Sequence, residues 1–161
     1  MGGPVAAGLL LAVVAFALAF VGRRIAIAGI AICALACVVT ILVERVPTPP
    51  WVFAGCWSSL IVTAFLVYFP QGLRRWPWLA LPLAANGGAW AALVVATEAA
   101  GSDALPILGT LALIIPASLC VARGWALAVR VVTSWLLAVA LLVGAIPLLV
   151  VHPGYVADHR E

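Results

Sequence analysis

Apolar residues run along this chain in long unbroken blocks, and polar residues fall between the blocks instead of alternating within them. A helix needs about 20 apolar residues to cross about 30 Å of hydrocarbon, and the blocks match that length. The first extends from Pro4 to Gly22 and stops at Arg23-Arg24. The second extends from Ile25 to Val43, stopped by Glu44, Arg45 and the breaker Pro47-Thr48-Pro49-Pro50. A third runs from Trp51 to Phe69 and closes at Pro70-Gln71-Gly72 and Arg74-Arg75; a fourth runs from Trp78 to Thr97, ended by Glu98 and Gly101-Ser102-Asp103. The fifth covers Ala104 to Ala122, and after Arg123-Gly124 the sixth reaches Val151 before His152-Pro153-Gly154. The pattern predicts an all-α polytopic membrane protein: six transmembrane helices (4–22, 25–43, 51–69, 78–97, 104–122 and 125–151) with short loops, forming one domain over residues 1–161.

Helices are expected over strands because a lipid-facing backbone must satisfy its own hydrogen bonds, and these runs are about twice the length of a barrel strand. Period-two alternation is also missing. Ala17-Leu18-Ala19 resembles a signal-peptide cleavage site, but the arginines follow the apolar block and do not precede it, so a retained helix is expected.

Charge orients the bundle. Lys and Arg favour the cytoplasmic side of short loops. With the first loop inside, Arg23, Arg24, Arg74, Arg75, Arg123 and Arg130 are cytoplasmic and only Arg45 and Arg160 lie outside. Both termini then lie on the periplasmic or outer side. All five acids, Glu44, Glu98, Asp103, Asp158 and Glu161, fall there too, although the rule ignores acids. The expected location is a bacterial inner membrane, as a multi-pass protein.

Composition narrows the class further. Hydrophobic residues make up 67% of the chain and charged ones 8%, far from a soluble domain. The net charge of +3 is scattered, whereas nucleic-acid binding calls for a clustered basic face, so no nucleic-acid partner is expected. The partners expected are the lipid bilayer, further copies of the chain or another membrane protein, and a small-molecule ligand.

The residues that bear chemistry are few. Cys33 and Cys37 continue a small-residue stripe from Gly29, the usual surface for close helix packing in lipid; Cys56 and Cys120 stand apart, and no CxxC occurs. Trp51 and Trp57 lie near the outer interface, and Trp76, Trp78 and Trp125 near the inner one, as anchors. Trp90 and Trp135 fall nearer mid-helix, and Trp90 is four residues from Asn86, beside Gly87-Gly88. Two readings stay open here. One is a ligand pocket of Asn86, Trp90, Trp135 and the hydroxyls of Thr133 or Ser134. The other is interhelical glue, with Ala84, Gly88 and Ala92 as a close contact and Asn86 bonding across it.

Arg130 is the one charge set inside a span; it either snorkels to the inner interface or faces the bundle as an anion site. Pro116 removes an amide hydrogen and frees the carbonyl of Ala112, kinking the fifth helix or offering an oxygen to a cation. His152 and His159 in the tail match no metal-ligand spacing, and no cofactor is expected. No span holds a His, Asp or Glu near its middle, so neither a general base nor a Ser-His pair is legible and no enzyme is expected.

Pro49-Pro50-Trp51-Val52-Phe53 with Trp57 resembles the start of the second helix in the tryptophan-rich sensory or translocator family, and Asn86, Trp90 and Trp135 are similar to polar and Trp positions in its later helices. The resemblance implies a porphyrin or sterol-like ligand among the deep tryptophans. This chain departs from that pattern by its sixth helix, its short first loop and its lack of a WY pair. The leading expectation is therefore a small membrane protein that takes part in moving a small molecule or ion, as an oligomeric permease or the membrane subunit of a larger transporter. A ligand-binding sensor and an assembly subunit are the alternatives.

Overall fold

Helix fills each apolar block as far as the structure, a computed structural model, describes it, over residues 3–43, 51–98 and 109–145. The elements are α1 (Gly3–Ala19), α2 (Arg23–Val43), α3 (Trp51–Tyr68), a short α4 (Gln71–Arg75), a 3-10 turn (Pro77–Leu79), α5 (Ala80–Glu98), a second 3-10 turn (Thr110–Leu113), α6 (Ile114–Ala122) and α7 (Ala126–Ala145). Among the described residues the fold is all-helical, without strands. Two segments, Arg23–Leu42 and Pro77–Ala96, are long and apolar enough to cross a membrane; Val5–Ala19, Ala54–Tyr68, Thr110–Ala122 and Ala126–Leu142 are shorter apolar helices. Arg45, four of the five acids, both histidines and the far end of the sixth block lie outside the described residues.

The first helix is the centre of the bundle. Leu10 through Phe20 are all buried, which covers every direction around the helix axis. A helix apolar on every face has no side to turn to water, and here α3, α5, α6 and α7 pack around it. The most extensive helix pair is α2 with α5, so α5 is held between α1 and α2.

Paired glycines make that sandwich possible. A Cβ on Gly88 would fall 2.4 Å from the carbonyl oxygen of Cys33 on α2, and one on Gly87 would fall 2.6 Å from Val14 Cγ2 on α1. Adjacent residues thus admit one neighbouring helix each. The Gly29–Cys33–Cys37 stripe serves the same contacts: Gly29 faces Leu18 of α1, and the Cys37 thiol donates to the Gly88 carbonyl at 3.2 Å. The four cysteines are free thiols, and Cys33, Cys37 and Cys56 are buried.

Turns form where the breakers stand. After α3, Pro70 precedes α4, and Pro77 opens the 3-10 turn, so the stretch expected as loop is short helix and α5 begins at Ala80, two residues later than the apolar pattern suggests. Gly124 takes φ 81°, and its amide bonds Val121 O at 3.1 Å while that of Trp125 bonds Cys120 O at 2.8 Å. Those two bonds are a Schellman cap, and a left-handed residue is what ends α6. Ahead of Pro116, which cannot donate to Ala112, the chain takes 3-10 geometry over Thr110–Leu113 before α6 begins.

Helix contacts bring the arginine-bearing turns to one end. The end of α3 (Tyr68 to Gln71) meets the start of α7 (Leu127, Arg130) around one cavity. Gly8 of α1 faces Thr110, and Val14 faces Gly87 seven residues into α5, so α1 ends where α6 ends and α5 begins. Arg23-Arg24, Arg74-Arg75 and Arg123 therefore share that end.

Candidate functional site

Two polar constellations stand out in this apolar bundle. The first joins α3 to α5. Asn86 Nδ2 donates to Ser59 Oγ across the helix pair, and Asn86 Oδ1 accepts from Trp90 Nε1 at 3.0 Å. Ser59 is buried, and its carbonyl accepts from Thr63 Oγ1 at 2.7 Å. Gly55 lies one helical turn before Ser59, and a Cβ there would be 2.3 Å from Trp90 Cη2, so only glycine leaves room for the indole. The pairs Ser59–Asn86 and Gly55–Trp90 run in opposite directions along two antiparallel helices. Both ends of the Asn86 amide are bonded within the protein, and the arrangement ties the helices together.

The expected pocket does not assemble around this amide. Trp135 is 66% exposed on the outward side of α7, and the chief neighbours of α7 are α3, α1 and α6. Thr133 is buried and donates to Val129 O at 2.8 Å; Ser134 donates to Val131 O at 2.8 Å. Asn86 and Trp90 thus come together with Ser59, while Ser134, Trp135 and Arg130 belong to another part of the bundle. Exposed Trp76, Trp78 and Trp125 cluster in sequence with the arginine-bearing turns, whereas Trp57 is turned into the core.

The second constellation is a seam between α3 and α7. A cavity of about 420 Å³ is lined by Tyr68, Pro70, Gln71, Leu127, Arg130 and Ser134, with Phe69 and Val131 completing the wall. Arg130 is the fifth residue of α7, and its Nε is buried with no hydrogen-bond partner. A second cavity of about 290 Å³ shares Tyr68, Phe69 and Ser134 with the first and continues along Ala64, Phe65, Thr133 and Leu137. One end of the seam offers a cation and amide and hydroxyl groups; the other offers aromatic and aliphatic side chains.

The sequence pattern singles out Arg130 and Ser134 but not Tyr68, Phe69 or Gln71. No spacing rule links residues that meet from two helices about 60 positions apart. Ser59 and Gly55 were equally silent, since a Ser and a Gly in an apolar run look like ordinary small packing residues. Among the described residues no three His, Cys, Asp or Glu side chains gather as a metal site.

Comparisons with protein-family models, with curated proteins and with solved structures find no match to this chain. The likeness to the tryptophan-rich family therefore stands only on residues 49–57 with Asn86, Trp90 and Trp135.

Proposed function

We propose that the chain is a six-span integral membrane protein, with both termini on the outer side of a bacterial inner membrane, and that it works as one subunit of an assembly that moves a small molecule or ion. The observation that carries the reading is that large apolar groups cover the outer surface as well as filling the core. The central helix α1 is enclosed by its neighbours, and the outer surface carries large apolar side chains such as Leu42 at 75%, Leu127 at 70% and Leu142 at 69% exposure. Water tolerates few such patches; lipid accepts them. Because Leu, Val and Ala of α1 fill the axis, a route for solute runs at a surface shared with another subunit and not through one chain.

Extraction in a mild detergent followed by native mass spectrometry tests this. A homo-oligomer, or a second membrane protein at fixed stoichiometry, is the expected result; a bare monomer would refute the subunit reading. For topology, a reporter active only in the periplasm should report when fused after Glu161 and stay silent when fused after Arg24, Arg75 or Arg123. The reverse pattern would overturn the orientation.

A further inference from the structure

We propose that the seam between α3 and α7 holds an anionic phospholipid, its phosphate on Arg130 and one acyl chain along Phe65, Phe69 and Leu137. The proposal rests on the membrane reading above and assigns it a specific lipid contact.

Three features point to this occupant. Arg130 Nε is buried and has no partner, although guanidinium donors in a low-dielectric site need an acceptor. Beside it, Gln71 and Tyr68 carry further donors, so the polar end suits a phosphate oxygen. The adjoining cavity runs along Ala64, Phe65 and Leu137, which a small soluble anion leaves unused and an acyl chain fills.

Depth agrees as well. Trp125 opens the turn into α7, is exposed, and shares its end of the bundle with exposed Trp76 and Trp78, the level at which indoles meet headgroups. Arg130 lies roughly 7.5 Å further in, five residues at about 1.5 Å each, and Leu137 roughly 10 Å beyond that. A glycerophospholipid descends in that order, phosphate first and chain after. Arg74, Arg75 and Arg123 at the same end add the positive field that draws anionic lipid to the cytoplasmic leaflet.

The test uses the full chain purified in a neutral detergent and titrated, by native mass spectrometry, with phosphatidylglycerol, phosphatidylcholine or inorganic phosphate. One phosphatidylglycerol should be retained, at least about tenfold more tightly than phosphatidylcholine, and phosphate should not compete. Arg130→Gln should lose about tenfold or more of that affinity. Leu127→Trp keeps every charge, changes an exposed position and fills the groove, so it should lose binding even where the Arg130 variant misfolds. Unchanged binding in a folded Arg130→Gln or in Leu127→Trp, equal affinity for the two lipids, or competition by phosphate would each overturn the proposal. The last would assign the site to a soluble anion. Release of the chain from membranes by alkaline carbonate without detergent would instead overturn the membrane reading, and it is scored before any lipid is added.

Discussion

Gly88→Ala is the sharpest mechanical test of the bundle. The added methyl carbon would meet the Cys33 carbonyl oxygen at 2.4 Å, its carbonyl carbon at 3.1 Å and its Cα at 3.2 Å. All three are backbone atoms, so no rotamer change relieves the contact. Restoring an ordinary separation of about 3.4 Å requires α2 and α5 to part by about 1 Å, which forfeits a quarter to a half of each dispersion well along the seam. Overpacking of this kind costs about 1–3 kcal/mol, and lengthening the Cys37 Sγ to Gly88 O bond, now 3.2 Å, removes a few tenths more. In water, replacing a helical glycine by alanine would return about 1 kcal/mol through helix propensity. Unfolding by SDS leaves the helices formed, so that gain cancels and the net loss stays near 2 kcal/mol. The assay is SDS-titrated unfolding in mixed micelles, read by near-ultraviolet circular dichroism, with Gly109→Ala as the control because nothing lies within 4 Å of its new carbon. Equal stability of the two variants would refute the close α2–α5 contact.

The Asn86–Ser59 bond should appear in a double-mutant cycle of Asn86→Leu and Ser59→Ala as a coupling of roughly 0.6 kcal/mol, with about 1.7 as the upper range for such bonds in lipid. Additive effects of the two changes would remove the bond from the account. Gly55→Ala should displace the Trp90 indole and abolish the coupling between Trp90→Phe and Asn86→Leu; a coupling that survives would mean the indole does not pack on Gly55. A maleimide added to the native protein in detergent should label Cys120 first, since Cys33, Cys37 and Cys56 are buried, with the other three reacting only after unfolding. Labelling of Cys33 at the rate of Cys120 would contradict the α2–α5 packing.

What the sequence revealed depended on how local the signal was. Blocks of about 20 apolar residues closed by Arg, Pro or Gly are contiguous features, and each block carries helix within the described residues. The stop at Gly124 was legible because a left-handed cap is a property of one residue. The Gly29–Cys33–Cys37 stripe was legible because its spacing follows the helix repeat. The same spacing puts Trp90 on the face of Asn86, and the structure bonds them. Across helices that logic ends. Whether Asn86 meets Ser59 or Trp135 depends on the order of helices around the bundle, which the periodicity of a nearly all-apolar segment does not encode.

Helix order also separates the two polar sites by chemistry. Because α1 takes the centre, α3 touches α5 on one flank and α7 on the other. The α3–α5 flank closes on itself: the Asn86 amide is bonded at both ends, and the Trp90 indole occupies the space that Gly55 leaves. The α3–α7 flank stays open, with cavities along it and an arginine nitrogen lacking an acceptor. A buried donor without an acceptor costs about 1–3 kcal/mol, and more when it belongs to a charged group. The lipid phosphate proposed above would offset that cost by supplying an acceptor to the Arg130 guanidinium. The satisfied flank is therefore the place to look for stability, and the unsatisfied flank the place to look for binding.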